Sequence, residues 1–278
     1  MKNILFPTDF SANSWNALEY AVHFFKNEDC IFYILHIADL KDSNVNSNSF
    51  AFATETALPS INKKINLLSM RVEQLLDNKK HHLIVLYEYG NFIDLIRKTV
   101  YDKKIELIVM GTKGASGIKT AIVGSNTGDV ITKVICNVLV IPEKAPIKKP
   151  KKITFATDYN IFYTHPILNT LSEQLRISKA NFNVLNVSQA NGHLTNAQKK
   201  NKEYLQDYLE EIFSCLHNFQ SVDNKNVKEA ILNFVADNKI EMLTMVAKNL
   251  NYFHQLLFDT TIEKLSFHTT IPLFVLHE

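Results

Sequence analysis

The amino-acid sequence contains the same pattern twice, and a repeat of this length indicates two similar folding units. The segment KNILFPTDFS at 2–11 recurs as KKITFATDYN at 151–160, an offset of 149 residues. The segment DKKIELIVM at 102–110 recurs as DNKIEMLTM at 237–245, an offset of 135 residues. The second copy is therefore 14 residues shorter between these landmarks, and the polar stretch 39–55 is the expected place of the difference.

The boundary between the two copies lies in the segment EKAPIKKPKK at 143–152, where two prolines stand among lysines. Proline interrupts regular structure, and such a run is typical of a solvated linker, with a targeting or anion-binding patch as the alternative. The chain has 278 residues, enough for two domains of ordinary size. We therefore predict an N-terminal domain over residues 1–145 and a C-terminal domain over residues 146–278.

Strand-like and helix-like patterns alternate in each copy. Continuous apolar runs such as KNILFP at 2–7 and CIFYILHIAD at 30–39 are typical of strands covered on both faces. Ser11 is the expected N-cap of the first helix, and residues 59–79 show helical periodicity. Strands separated by helices favour parallel pairing, so we predict an α/β fold with two tandem, doubly wound, five-stranded parallel sheets. In the second copy the predicted strands lie near 151–157, 181–187, 219–222, 240–246 and 272–276.

Composition and charge argue against several classes of protein. The apolar fraction of 46% is that of a globular chain, and a net charge of +2 gives no basis for nucleic-acid binding. The three cysteines form no CxxC pair, which favours reduced thiols over disulfides or a zinc site. No apolar stretch resembles a signal peptide or approaches the roughly 18 residues of a membrane span. We expect a cytoplasmic protein without nucleic-acid or membrane partners.

Known catalytic and metal-binding motifs are missing from the sequence. Its ten histidines include no HxxxH or HExxH spacing, and the adjacent His81 and His82 would point to opposite faces of a strand. No serine lies in a G-x-S-x-G elbow. We predict neither a catalytic residue nor a metal ligand.

Four of the seven glycines lie within residues 111–124, after the fourth predicted strand. Ligands of open parallel sheets bind beyond the carboxyl ends of the strands. Asp9 would face the glycine loop there if the first and fourth strands are neighbours. A side chain at Gly111 would exclude a ligand from this place. Bare amides in the loop, and at a helix that begins near Ser125, suit a phosphate. The spacing matches neither the P-loop nor the dinucleotide fingerprint. A flexible loop without ligand, and a capping role for Asp9, stay open.

The glycine loop resembles that of the universal stress protein family. Nucleotide-binding members carry G-x2-G-x9-G-[ST] after the fourth strand, and this chain reproduces the motif with Gly111, Gly114, Gly124 and Ser125. Three further segments are similar to the family's first, second and closing strands, namely ILFPTDFS at 4–11, ILHIAD at 34–39 and NVLVIP at 137–142.

The resemblance implies a tandem universal stress protein, related to the adenine nucleotide alpha hydrolases, with strand order 3-2-1-4-5 and two domains packed as a pseudo-dimer. It implies that the N-terminal domain binds ATP, ADP or AMP, with or without Mg²⁺. The residues that it places around adenine and ribose are Pro7, Thr8, Asp9, Ile37, Met110 and Gly111. Those that it places around the phosphates are Lys113, Gly114, Gly124, Ser125 and Asn126.

The resemblance also implies a regulatory role in stress response and, at most, weak ATPase activity. A slow ATP hydrolase and a nucleotide-independent scaffold are the alternatives. At the 135-residue offset, Val246, Asn249 and Asp259 replace motif glycines, so we expect no nucleotide in the C-terminal domain. That domain would instead pair with the first, through Asn137–Pro142 and Pro272–His277, as a second subunit would. A homodimer of whole chains stays open.

Overall fold

The computed structural model describes residues 1–38, 50–75, 78–112, 125–188, 193–213, 217–248 and 270–278, with side chains from residue 62 onward in the second range. Within the described residues, strands and helices alternate through the first half and, up to residue 246, through the second. The elements of the first half are β1 (Lys2–Pro7), α1 (Ala12–Phe24), β2 (Cys30–Ala38), α2 (Phe50–Leu75), β3 (His81–Tyr89), α3 (Phe92–Asp102), β4 (Leu107–Gly111), α4 (Ser125–Lys133) and β5 (Asn137–Ile141). Those of the second half are β6 (Lys152–Ala156), α5 (His165–Ser178), β7 (Asn181–Ser188), α6 (Asn196–Ile212), β8 (His217–Asp223), α7 (Val227–Asp237), β9 (Met242–Val246) and β10 (Leu273–Leu276).

All of these strands belong to one ten-stranded sheet, with the order β3-β2-β1-β4-β5-β10-β9-β6-β7-β8. Counted within each half, the order is 3-2-1-4-5, as predicted. Neighbouring strands run parallel except at the centre, where β5 pairs antiparallel with β10 and Leu139 lies opposite Phe274. The two predicted five-stranded sheets therefore join edge to edge into a single sheet.

Two elements differ in extent from the sequence prediction. Helix α2 begins at Phe50 instead of residue 59, so part of the polar stretch 39–55 is helical. Pro59, the first residue of the predicted helix, lies inside α2, although proline is disfavoured in a helix interior. Strand β8 is longer than the predicted 219–222, and its partly exposed, polar residues are those of a strand at the edge of the sheet.

A hydrophobic cluster covers each face of the sheet, and each cluster draws residues from both halves. The first cluster joins Tyr20 of α1 and Val72 of α2 to Leu171 of α5. The second contains Ile131 of α4 and Ile231 of α7. Helices thus cover both faces, as a doubly wound sheet requires. Across the described ranges, no helix combines the length and apolar character of a membrane-spanning segment.

The turn after the first strand has the same backbone conformation in both halves. Phe10 has a left-handed φ of 61°, and Tyr159, at the equivalent position, has a φ of 57°. In each turn the residue's amide donates to a threonine Oγ1 two positions earlier, at 3.0 Å for Thr8 and 3.1 Å for Thr157. The sequence repeat is therefore also a repeat of local geometry.

Ion pairs connect the outer surfaces of the two halves. Arg176 of α5 donates two hydrogen bonds to the carboxylate of Glu28, at 3.1 and 2.7 Å. This guanidinium lowers the pKa of the Glu28 carboxyl. Lys2 of β1 contacts Glu173 of α5 at 2.6 Å. Because the partners are partly exposed, we assign these pairs a small contribution to stability beside the apolar core.

Candidate functional site

A cavity of about 120 Å³ opens beyond the carboxyl ends of β1 and β4, the place where an open parallel sheet binds its ligands. The described residues that line it are Pro7, Thr8, Asp9, Ser14, Leu35, His36, Ile37, Phe92, Met110, Gly111, Asn126 and Thr127. Typical small-molecule pockets measure about 300–1,000 Å³. The described part is therefore large enough for a portion of a ligand, such as one ring system.

The turn after β1 is held by its own side chains. The Ser11 amide donates to Asp9 Oδ1 at 3.0 Å, and the Ser14 amide donates to Ser11 Oγ at 3.2 Å. Ser11 is thus the N-cap of α1, as predicted. Asp9 does not cap the helix. Its carboxylate accepts a hydrogen bond within the turn, and the residue remains exposed beside the cavity.

His36 is a central residue of the site that sequence reasoning passed over. Its Nδ1 lies 2.7 Å from the carbonyl oxygen of Thr8, and its ring lies between those of Phe10 and Tyr87, with centroids 4.4 and 5.7 Å away. Burial lowers the pKa of the imidazole. A neutral ring that donates from Nδ1 to a carbonyl keeps Nε2 as an acceptor. The sequence feature that could have pointed to His36 is a polar residue inside an otherwise apolar strand.

Gly111 has a close neighbour that adds a second reason for the absence of a side chain. A Cβ at this position would lie 2.6 Å from Nδ2 of Asn13, a buried residue of α1. The protein's own helix α1 therefore gives a reason for glycine at this position, beside the expectation that a side chain here would exclude a ligand. Thr127 Oγ1 donates to the Gly111 carbonyl at 2.9 Å, which joins the first turn of α4 to the end of β4.

The structure brings most of the sequence-predicted site residues to this one cavity. Those that line it are Pro7, Thr8, Asp9, Ile37, Met110, Gly111 and Asn126. Ser125 is the first residue of α4 and is exposed beside Asn126. Lys113, Gly114 and Gly124 lie outside the described residues. Among the residues described, no group of three His, Cys, Asp or Glu side chains could hold a metal ion.

The corresponding turn of the second half is covered by protein. Gln198 Nε2 of α6 donates to the Asp158 carbonyl at 2.8 Å, and Asn201 Nδ2 donates to the Tyr159 carbonyl at 2.9 Å. Asp158 itself is 9% exposed, whereas Asp9 is exposed. Helix α6 therefore covers the turn that contains Asp158, whereas Asp9, the equivalent residue of the first half, is exposed.

The wall residues of the second half also differ. Asn186 replaces His36 and donates to the Thr157 carbonyl at 3.0 Å, which preserves the bond to the turn without the imidazole ring. Val246 stands at the position of Gly111, and Phe162, at the position of Asn13, is 63% exposed. The close contact between helix and strand end is thus confined to the first half.

Comparison with known proteins places the chain in a family. The model described as universal stress protein family matches residues 1–142. Universal stress protein MJ0577 of Methanocaldococcus jannaschii is 28% identical over 160 residues, covering 51% of this chain and 96% of that protein. Universal stress protein MJ0531 of the same organism is 26% identical over 153 residues, covering 54% and 84%.

A solved structure extends the likeness to both halves. The crystal structure of a universal stress protein from Archaeoglobus fulgidus has a TM-score of 0.64 and 18% identity, and covers 99% of this chain and 96% of that chain. At this identity the likeness shows the fold alone. Because the family model matches more than half of the residues, the chain belongs to the universal stress protein family.

Proposed function

We propose that the N-terminal half binds ATP or another adenine nucleotide, and that the protein acts as a regulatory stress-response protein whose nucleotide occupancy is read by a partner. The observation that carries the proposal is the convergence of β1, β2, β4 and α4 on one cavity lined by the residues expected to hold a nucleotide. Membership in the universal stress protein family supports the stress-response role.

The described cavity suits the base and ribose end of the ligand. Its walls include the apolar side chains of Leu35, Ile37 and Met110, which favour a flat heteroaromatic ring. Asp9 offers an exposed carboxylate that can accept hydrogen bonds from ribose hydroxyls. The neutral His36 ring adds an acceptor at the same wall without introducing a charge.

The phosphates would extend toward the start of α4. The first amides of a helix have no intrahelical partners, and the helix dipole makes this end attractive to anions. Ser125 and Asn126 are exposed there. We propose that they bind the phosphates together with Gly114, Gly124 and Lys113, with or without Mg²⁺.

We further propose that the second half binds no nucleotide and serves as a built-in partner, with domains divided near residues 145 and 146. The antiparallel ladder between β5 and β10, together with clusters that span both halves, supports pairing through Asn137–Pro142 and Pro272–His277. A homodimer of whole chains and a cytoplasmic location complete the proposal. Cys30 and Cys136 are free thiols, which is consistent with a reducing compartment.

The test uses equivalent positions of the two halves. Calorimetric titration with ATP should give one site per chain. Asp9→Ala should weaken the affinity by about tenfold or more, the effect of one lost hydrogen bond to an ionised group, while Asp158→Ala should not. Gly124→Asp, which copies Asp259 of the second half, should also weaken binding, because a carboxylate repels phosphate.

Two results would refute the proposal. One is ATP binding that both Asp9→Ala and Gly124→Asp leave unchanged, which would place the nucleotide elsewhere. The other is the absence of saturable binding, together with purified protein that releases no nucleotide on heating. The second result would favour the nucleotide-independent scaffold.

A further inference from the structure

A second cavity, of about 180 Å³, lies between α1 and α2 in the first half. It shares Thr8 and Ser14 with the nucleotide cavity, and their hydroxyl oxygens are 3.1 Å apart. Its floor is apolar and includes Phe6, Leu18 and Leu68, three side chains that are buried or nearly so. The proposed nucleotide site leaves this cavity without a role.

Two cations lie over aromatic rings at the rim of this cavity. The guanidinium carbon of Arg71 lies 3.7 Å from the centroid of the Trp15 ring, and the Lys64 ammonium lies 5.7 Å from that of Phe10. Among the side chains that the structure describes, no carboxylate lies at ion-pair distance from either cation. Glu19 of α1 accepts a hydrogen bond from Trp15 Nε1 at 3.0 Å.

Stacking orients the guanidinium without using its hydrogen-bond donors. A planar Arg side chain on an aromatic face keeps its N–H groups in the plane of the guanidinium, where they can bind a carboxylate with two parallel hydrogen bonds. The aromatic support also reduces the side-chain freedom that binding would otherwise remove. Arg71 is therefore prepared for an anion that enters the cavity.

The second half shows that this corner of the fold accommodates a phenol ring. Tyr163 is fully buried, its hydroxyl is 2.8 Å from Thr157 Oγ1, and its ring centroid is 6.0 Å from that of Phe155. Thr157 and Phe155 are the equivalents of Thr8 and Phe6 in the repeat. In the first half the equivalent residue is Ser14, whose hydroxyl makes the same contact but whose side chain has no aromatic ring.

We infer that this cavity binds a small monocyclic aromatic carboxylate. The ring would lie on Phe6, Leu18 and Leu68, and a ring hydroxyl would reach Thr8 and Ser14. The carboxylate would bind Arg71 and Lys64 at the rim. An apolar cavity of about 150 Å³ is known to hold benzene, so a cavity of about 180 Å³ has the size for one ring. This inference does not depend on nucleotide binding.

The probe is 4-hydroxybenzoate, added to the full-length protein without nucleotide. Trp15 is the single tryptophan of the chain, so its fluorescence reports directly on this cavity. We expect saturable quenching, matched by calorimetry, with one site per chain. The alcohol analogue 4-hydroxybenzyl alcohol should bind about tenfold more weakly, because it cannot pair with the cations.

Variants on α2 distinguish binding by the two cations at the rim from a general effect of the protein's charge. Arg71→Gln and Lys64→Gln should each weaken 4-hydroxybenzoate binding, the first by about tenfold or more. Lys63→Gln removes the same charge from an exposed neighbouring position outside the cavity and should leave the affinity unchanged. Circular dichroism confirms that each variant is folded.

Three outcomes would overturn the inference: no saturable binding at millimolar probe, equal affinity for the acid and the alcohol, or equal loss in Lys63→Gln and Arg71→Gln. A different result would refute the nucleotide proposal. Gly124→Asp should weaken ATP binding and leave 4-hydroxybenzoate binding intact, so loss of both ligands would also count against a distinct site.

Discussion

The side-chain amide of Asn13 occupies the space that a Cβ at Gly111 would need, with Nδ2 only 2.6 Å from that position. This contact fixes the start of α1 against the end of β4, beside the proposed nucleotide site. Because Asn13 is buried and short, it has little room to move aside. The two residues therefore form one packing unit.

Gly111→Ala should destabilise the protein by about 1–3 kcal/mol, the usual cost of adding a methyl group to a well-packed site. Asn13→Ala combined with Gly111→Ala should recover much of that loss, because the clashing atoms are gone. Chemical denaturation of both single variants and the double variant measures the coupling. Strictly additive effects would mean that the two residues do not compete for the same space.

His36 should be replaceable by Asn but not by Leu. Asn186 makes the equivalent bond to the Thr157 carbonyl in the second half, so His36→Asn can keep the bond to Thr8. His36→Leu leaves that carbonyl without its donor and should cost about 1–3 kcal/mol. Thermal unfolding of the two variants ranks them. A larger loss for Asn than for Leu would contradict the assigned role of the hydrogen bond.

Stability should fall as the pH decreases below the ordinary histidine pKa of about 6.5. Burial lowers the pKa of His81, which lies 8% exposed with Nε2 3.1 Å from the Phe25 carbonyl. The unfolded chain then binds a proton at this histidine more readily than the folded chain does. The contribution of neutral His81 to the free energy of unfolding is therefore complete above about pH 6.5 and is lost as the pH falls toward the folded pKa. One such proton gives a slope of at most about 1.4 kcal/mol per pH unit.

The measurement is the free energy of unfolding between pH 5 and pH 8. His81→Gln should make the decrease shallower, and His82→Gln, at the exposed neighbouring position, is the control. Burial also lowers the pKa values of His36 and His277, so part of the slope should remain. A slope that His81→Gln leaves unaltered would remove this residue from the explanation.

Apolar packing should hold the two halves together more strongly than their ion pairs do. Arg176→Gln removes a partly exposed pair and should cost less than about 1 kcal/mol. Leu276→Ala, in the fully buried central strand β10, should cost about 2–5 kcal/mol. Denaturant titration compares the two. A greater loss in the arginine variant would show that the surface pair is the main link.

Cys30 and Cys136 should resist alkylation in the folded protein. Both thiols are buried, and burial raises the pKa of each to about 12, so little reactive thiolate forms at neutral pH. Brief treatment with iodoacetamide, followed by mass spectrometry of the peptides, should find both unmodified until denaturant is added. Rapid labelling of either residue under native conditions would contradict their burial.

The sequence alone determined the order of elements and the two-fold repeat, and its resemblance to the universal stress protein family implied the strand order within each half. The order of elements follows from local patterns: apolar runs predict covered strands, spacings of three and four predict helices, and Ser11 marks a helix start. The patterns also placed Asp9 and Gly111 at the same edge of the sheet, because parallel strands of a doubly wound sheet present the same ends at one edge.

Only the tertiary structure decided how the halves meet and what surrounds the site. The pairing of β5 with β10 joins two sheets into one, and a Cβ at residue 111 would clash with Asn13, which lies nearly a hundred positions earlier in the chain. The bond from His36 to Thr8 likewise joins separate strands. Each of these contacts joins residues that lie far apart along the chain, so a periodicity read over neighbouring residues carries no information about them.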